Sequence, residues 1–302
     1  MKKTMAIAII ILITAGAAYG LETGAFTDIG GGARPSSMGD AFVAVADDAN
    51  DVFYNPAGMA TAKYNDVAFM YGNDKSLVPY NYIAGIYNFN YQRAVGFGLI
   101  VSGDALEDEK TFIGAYSEKL DWLFFNLVKN VYIGANLKLE AAGFGNNTNG
   151  GADRMQGNAF GMGFDLGMLW HINEQVQAGF MIKNAFSYLQ WNTQFNSYGE
   201  GVPLTSDMGL SYTIPFFTIA SDITDLDTLH IGVEKNIFTY IDLRAGYTQT
   251  LDMASTKQYM TGIGIGHFQF GRNKEFSTDF DVAYLFENLA NTLKIQMSFK
   301  FK

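Results

Sequence analysis

The sequence predicts an all-β protein, a 14-stranded antiparallel transmembrane β-barrel with an N-terminal helical hatch, or plug, in the lumen. Three observations predict it. Long segments with strict two-residue alternation fill the chain from about residue 65 onward. No stretch after residue 20 has the 18 consecutive apolar residues of a membrane helix. And residues 32–60, rich in small side chains and helical in pattern, precede strands that have nothing else to fill them.

Residues 1–20 read as a secretory signal. Lys2 and Lys3 give a positive start, residues 5–15 an apolar run, and Ala18-Tyr19-Gly20 small residues for cleavage. The alternative, a short membrane anchor, is disfavoured because a run of about a dozen residues falls short of the roughly 20 that a span needs. No cysteine is present, which removes lipoprotein acylation, disulfides, thiolate catalysis and cysteine-ligated metals.

Without Lys2 and Lys3 the chain has 18 basic and 30 acidic residues, a net charge of −12. Such a chain is a poor match for nucleic acid, whose phosphates call for a basic patch. Aromatic residues make up 15% and charged residues only 17%, as suits a wall that lines two apolar–water boundaries with rings. Mean hydropathy is near zero. With no helical span, that leaves an outer-membrane barrel or a large soluble β-protein.

Alternation and length separate the two. Val131, Ile133, Ala135, Leu137 and Leu139 alternate with Tyr132, Gly134, Asn136, Lys138 and Glu140. Leu293, Ile295, Met297, Phe299 and Phe301 alternate with Lys294, Gln296, Ser298, Lys300 and Lys302. A soluble sandwich also alternates, but its strands average about 5 or 6 residues. Ten residues tilted near 40° cover roughly 25 Å, the height of a barrel's apolar band. A lipid-facing Lys or Arg at mid-depth costs about 2–4 kcal/mol, so Lys138, Arg244 and Lys294 are expected to face the lumen or sit near an interface.

The strands are expected at 65–72, 80–90, 92–102, 109–120, 129–142, 157–172, 174–186, 203–214, 216–224, 228–236, 239–250, 256–269, 275–286 and 291–302. Asn173 and Pro215 mark tight turns, and residues 143–156 and 187–202 read as long loops. The sequon Asn146-Asn147-Thr148 reads as loop chemistry. Tyr188, Leu189, Trp191, Phe195 and Tyr198 on the second loop either guard an entrance for an apolar ligand or belong to an aromatic girdle.

Within residues 32–60, Ser36 or Ser37 is expected to cap a helix through Met38, Ala41, Phe42, Val45 and Ala46. Asp47, Asp48, Asn50 and Asp51 are expected to end it. Asn55-Pro56-Ala57-Gly58 then makes a tight turn, with Asn bonding its own backbone, Pro presetting φ and Gly accepting positive φ. The segment is too small to fold alone, and a fourteen-stranded lumen is wide enough to host it. The expected division is signal 1–20, hatch 21–63 and barrel 64–302.

The run from Ala33-Arg34-Pro35-Ser36-Ser37-Met38-Gly39-Asp40 to Tyr54-Asn55-Pro56-Ala57-Gly58-Met59-Ala60 resembles the start of the PorV/PorQ outer-membrane family, part of the wider FadL-like transporters of hydrophobic compounds. Four later blocks resemble that family in the same order: His230-Ile231-Gly232-Val233-Glu234, Leu243-Arg244-Ala245-Gly246-Tyr247, Thr261-Gly262-Ile263-Gly264-Ile265-Gly266 and Asp281-Val282-Ala283-Tyr284. The resemblance implies a hatch built on Arg34, Met38, Gly39, Asn55, Pro56, Ala57 and Gly58. It implies passive uptake of long-chain fatty acids or aromatic hydrocarbons, gated by hatch movement, with exit along the lumen or sideways through the wall. PorV-like members instead serve type IX secretion, binding cargo proteins at the rim. Implied partners are outer-membrane lipids, a hydrophobic small-molecule ligand, the barrel-assembly machinery and, in the second reading, secretion-system proteins. The chain is short for a fatty-acid transporter, which implies reduced extracellular loops.

Phe42, Val45, Phe53 and Met59 are candidates to line an apolar tunnel. The glycine runs near 161–163 and 262–266 lie inside alternating strands rather than at a strand-to-helix turn, so they read as lumen space and not as phosphate loops. His171, His230 and His267 lack the spacing of a helical zinc site, although an inward His171 could meet Asp165 or Glu174. Asp47, Asp48, Asn50 and Asp51 lack calcium-loop spacing and read as helix-end capping. No metal, cofactor or catalytic residue is expected, and no enzyme. Arg34, the one cation of residues 32–60, is expected to pair with inward acids among Asp165, Asp222, Glu234, Asp242, Asp279 and Asp281.

Overall fold

A computed structural model describes residues 25–26, 30–90, 92–104, 106–120, 129–145, 156–238, 240–252, 255–271 and 275–302. The expected signal segment, residues 21–24 of the expected hatch and the sequon at 146–148 lie outside the described residues.

Fifteen strands form one antiparallel sheet among the described residues. The first seven are β1 (Asn65–Asp74), β2 (Val78–Asn88), β3 (Arg93–Gly103), β4 (Glu107–Lys119), β5 (Val131–Phe144), β6 (Gly157–His171) and β7 (Val176–Thr193). A short β8 (Ser197–Glu200) follows. The remainder are β9 (Thr205–Ile214), β10 (Phe217–Thr224), β11 (Thr228–Ile237), β12 (Ile241–Thr250), β13 (Lys257–Phe270), β14 (Phe276–Phe286) and β15 (Thr292–Phe301). β1 pairs with β15, from Asn65↔Phe301 to Asn73↔Leu293, and closes the ring. β8 pairs only with the end of β7, so the closed barrel has fourteen strands and β8 is an addition.

The alternation read from the sequence sets which face is which. Ile133, Leu137 and Leu139 of β5 lie exposed on the outer wall, whereas Asn136 and Glu140 are buried inside. Arg244 and Lys294 point inward and are buried, at 5% and 1% exposure; Lys138 also faces the lumen, against Asp165. The expected tight turns are present. Asn173 Oδ1 accepts the backbone N–H groups of Gln175 and Val176, and Pro215-Phe216 alone joins β9 to β10.

Two expectations need correction. The long loop placed at 187–202 is largely strand: β7 runs on to Thr193 and turns into β8. A bulge causes the misreading. The β6–β7 register shifts between Phe164↔Phe186 and Leu166↔Ile182, with Asn184 at φ +54° donating its N–H to Asp165 Oδ1 at 2.8 Å. Beyond it, Leu189 and Trp191 point inward and are buried, with Tyr188 exposed. The aromatic set is therefore divided: Trp191 packs inside near Ala142 and Ala159, and Phe195 and Tyr198 stay exposed.

The second correction concerns the N-terminal segment. Its first helix is α1 (Ala33–Ser37), ahead of the expected one, and Met38 to Ala46 is not helical. Gly39 and Asp40 both take positive φ, at 67° and 62°, which ends α1 at once. A four-residue helix, α2 (Asp51–Tyr54), begins where the acidic run was expected to end one. A 3₁₀ turn, Pro56–Thr61, follows, opened by Asn55 Oδ1 accepting Ala57 N–H at 3.2 Å. The apolar spacing from Met38 to Ala46 imitates a helix because these residues are enclosed on every side. Met38, Ala41, Phe42 and Ala46 are all fully buried.

Candidate functional site

Residues 30–62 lie against the inward face of the barrel, and each strand of the ring meets them. The polar ties come from strands far apart in sequence. Asp222 on β10 accepts Val43 N–H at 2.8 Å. Ser211 on β9 donates to Ala44 O at 2.9 Å. Gly39 O accepts Thr248 Oγ1 at 3.0 Å and faces His230 Nδ1 at 2.7 Å, so that ring nitrogen carries the proton. Gln296 Oε1 on β15 accepts Ala33 N–H and Tyr82 Oη, both at 2.9 Å. Lys294 Nζ donates to Gly30 O at 2.7 Å and Ser36 Oγ at 2.9 Å. Asn136 Nδ2 donates to Val52 O at 2.9 Å, and Asp66 on β1 accepts Ala49 N–H at 3.1 Å. A chain with so little regular structure leaves backbone groups open, and the wall's polar side chains satisfy them.

Three cross-strand glycine pairs let the segment's backbone touch the wall. Gly134 faces Gly167 across β5–β6, Gly179 faces Gly209 across β7–β9, and Gly232 faces Gly246 across β11–β12. A methyl group at Gly134 or Gly167 would overlap Asn55, Pro56 and Ala57. At Gly179 it would overlap Val43, and at Gly209 the Asp222 carboxylate that holds Val43. At Gly232 or Gly246 it would overlap the Met38–Gly39 backbone. These six are not the glycines expected to leave lumen room; of the runs at 161–163 and 262–266, Gly262 lies against Ser37 of the segment, whereas Gly161, Gly163 and Gly264 lie against side chains and backbone of the wall.

Charge adds a fourth tie. Arg34 bonds Glu234 on β11 through both sides of its fork and reaches Asp47 at 2.6 Å and Asp48 at 2.7 Å. Burial alone would lower the Arg34 pKa, but Asp47, Glu234 and Asp48 together hold it well above the ordinary arginine range. Glu234 is shared with Arg244 at 2.5 Å, which continues to Asp281 at 2.7 Å and Asp242 at 3.3 Å. Asp47 and Asp48, expected as helix-end caps, serve instead as counter-ions of Arg34. Of the inward acids proposed as Arg34 partners, Glu234 is in contact with it; Asp222 holds backbone, and Asp165 holds Lys138 at 2.9 Å. His171 meets neither Asp165 nor Glu174; its ring lies beside Tyr132.

The remaining residues expected to build the hatch are buried against the wall. Met38 has no exposed surface, Asn55 donates to Val43 O at 2.9 Å and Met168 O at 3.0 Å, and Pro56, Ala57 and Gly58 lie under β5 and β6. Gly58 supplies closeness rather than positive φ: a Cβ there would lie 2.5 Å from Ala46 Cβ. Asp51 is enclosed with one carboxylate oxygen unpartnered. Burial, with Asp48 and Asp47 adding to it, raises its pKa well above the usual carboxylate range.

A cavity of about 150 Å³ lies between this segment and β2–β7 and β9. Phe53 lines it, with Val52, Ile100, Ile113 and Phe26. Phe42, Val45 and Met59, the other candidate lining residues, lie outside the lining, in the core that the segment shares with the inner face of the wall. The cavity's other wall is polar, with Lys138, Glu140 and Asp165. It reaches the barrel wall where β7 loses its neighbour. β9 pairs with residues 176–183 and β8 with 189–192, and in between only Asn184 Nδ2 to Pro203 O at 2.9 Å and Ser187 Oγ to Val202 O at 2.8 Å span the gap. The wall's polar anchors and this cavity were not foreseen as a site. The signal available was the inward set Asn136, Lys138 and Glu140, too polar for a wall that only packs.

No family model matches the chain, and no curated protein does. Solved structures do. The barrel is similar to that of the CymD monoaromatic hydrocarbon channel, with a TM-score of 0.61 at 14% identity over 92% of this chain and 98% of that one. It is similar to a Pseudomonas aeruginosa FadL homologue, at 0.58 and 12% over 88% and 96%. It is also similar to the Ralstonia pickettii toluene transporter TbuX, at 0.56 and 11% over 92% and 99%. At such identities the likeness is one of fold.

Proposed function

We propose that this protein is an outer-membrane channel for passive uptake of small hydrophobic molecules, with residues 30–62 as the hatch that governs passage. The observation that carries the reading is the cavity beside the lodged segment, which meets the barrel wall where β7 and β9 part. An outer wall of exposed rings and aliphatic side chains over inward charges supports a membrane setting. The channels and transporters of similar fold, described as acting on monoaromatic hydrocarbons and toluene, support the ligand class. No bond is made or broken; binding and gating suffice. A cavity of about 150 Å³ matches a single ring, since an engineered cavity of about that size takes benzene. A long-chain fatty acid would require the hatch to shift first. The ligand then leaves along the lumen, or sideways through the β7–β9 gap into lipid.

The test is uptake of labelled toluene and of a labelled long-chain fatty acid by cells expressing the protein, against the same cells with empty vector. Protein-dependent toluene uptake is expected, and uptake of neither compound overturns the reading. A second reading, a rim that binds secreted proteins, draws on the β7–β8 extension, where Phe195 is 76% exposed and β8 lacks a second strand neighbour among the described residues. Absence of uptake by correctly inserted protein would favour it.

A further inference from the structure

The cavity holds a buried acceptor with nothing to accept from. Glu140, 2% exposed, lies on its wall, and its Oε2 has no hydrogen-bond partner. Its Oε1 is 4.0 Å from Lys138 Nζ. The other charged groups on the lining are engaged, Lys183 with Asp207 at 3.6 Å. Lys138 is taken up by Asp165 at 2.9 Å and by Asn184 Oδ1. Asp165 also accepts Asn184 N–H at 2.8 Å and Asn136 Nδ2 at 3.1 Å. Glu109 accepts Phe26 N–H at 2.9 Å. A buried carboxylate oxygen left open is costly, and a ligand that donates to it recovers that cost.

The same cavity has an apolar lining as well, with Phe53, Ile100 and Ile113. From this pairing we infer a ligand class: a one-ring molecule that carries a hydroxyl donor, its ring on Phe53 and its O–H on Glu140. The inference rests on the channel reading and narrows it. It sets the site apart from one for a bare hydrocarbon, which leaves Glu140 open. It also sets it apart from one for a carboxylate, which would meet Glu140 and Asp165 with like charge while the lining cations are occupied, Lys138 by Asp165 and Lys183 by Asp207. A site built to take a hydroxyl discriminates against the analogue lacking it.

The test is equilibrium dialysis of the purified barrel in detergent against protein-free micelles, with toluene, p-cresol and 4-methylbenzoate as probes of one ring size. The wild-type protein is expected to bind p-cresol about tenfold more tightly than toluene, since a hydrogen bond to a charged group is worth about that much, and 4-methylbenzoate least. Glu140→Leu should bring p-cresol to the level of toluene, with folding checked by heat-modifiable migration. Equal binding of p-cresol and toluene by the wild type, which needs no variant, overturns the hydroxyl assignment and leaves the channel reading standing. Tightest binding of 4-methylbenzoate overturns it in favour of a carboxylate site. Binding of none of the three counts against both readings.

Discussion

Arg34 and Glu234, two hundred residues apart, form a two-pronged pair: Nε to Oε2 at 2.9 Å and Nη2 to Oε1 at 3.0 Å. The pair joins the lumen segment to β11, and Arg244 carries the linkage on to β14 through Asp281. With Arg34 at 13% and Glu234 at 14% side-chain exposure, the pair is largely shielded from water.

Arg34→Gln leaves Glu234 with one cation instead of two and frees Asp48. Breaking a buried pair from one side costs about 3–5 kcal/mol, and partial exposure puts the expected loss at the lower end. The hatch should loosen, and conductance in planar bilayers should rise. Glu234→Gln should act in the same direction, and the double variant should cost less than the two single losses combined. Unchanged conductance in Arg34→Gln would show that the pair does not hold the segment.

Gly246→Val should displace the segment without unfolding the barrel. Its side chain would overlap the Gly39 backbone at a site where rigid strand meets rigid turn. Limited proteolysis of folded protein should then cut between residues 38 and 60, where the wild type resists. Gly114→Ala is the control, because a Cβ there meets no atom within 4 Å. Equal resistance of both variants would refute the seating.

The buried Asp51 carboxylate sets a pH dependence. Its pKa in the folded protein is raised by burial, then by Asp48 and Asp47, so the folded state holds this proton more tightly than the unfolded one. Its contribution to stability is fully present below about pH 4, the unfolded value, and is lost as pH rises through the raised folded value. Asp51→Asn should flatten that part of the profile and stabilise the segment at neutral pH, read by denaturant midpoints from pH 4 to 8. A parallel profile for variant and wild type would contradict this.

The β7–β9 gap can be closed covalently. A Cβ at Gly201 would lie 3.3 Å from Ser187 Oγ, and the chain has no cysteine of its own. Ser187→Cys with Gly201→Cys should cross-link under oxidation. If ligand leaves sideways, uptake should fall several-fold when oxidised and recover on reduction; undiminished uptake would assign exit to the lumen.

Much of this architecture is legible in the residues. Period-two alternation places most strand ends within two residues, because each side chain faces either an apolar surround or a polar interior. It fails at β7, where a bulge at Asn184 interrupts the strand; beyond it the inward set resumes in the same phase, from Gly179 and Met181 to Leu189 and Trp191, in a stretch whose rings and polar residues read as a loop. That Met38 to Ala46 is not a helix was unreadable for a different reason. Periodicity reports one buried face, and a segment enclosed on all sides has none. The Arg34 tie was legible as charge, since the one cation of residues 32–60 meets a wall rich in inward acids. The open oxygen of Glu140 was not, because sequence gives a residue's face and not whether its neighbours are already engaged.

The central claim, that movement of the lodged segment governs passage, is tested most directly by locking it. Ser211 Oγ donates to Ala44 O at 2.9 Å, so Ser211→Cys with Ala44→Cys should tie the segment to β9 on oxidation. The measurement is uptake of labelled toluene by cells expressing this variant, oxidised and then reduced. The account predicts uptake at the empty-vector level when cross-linked and near wild type after reduction. Uptake by the cross-linked protein equal to that of the reduced protein would contradict it.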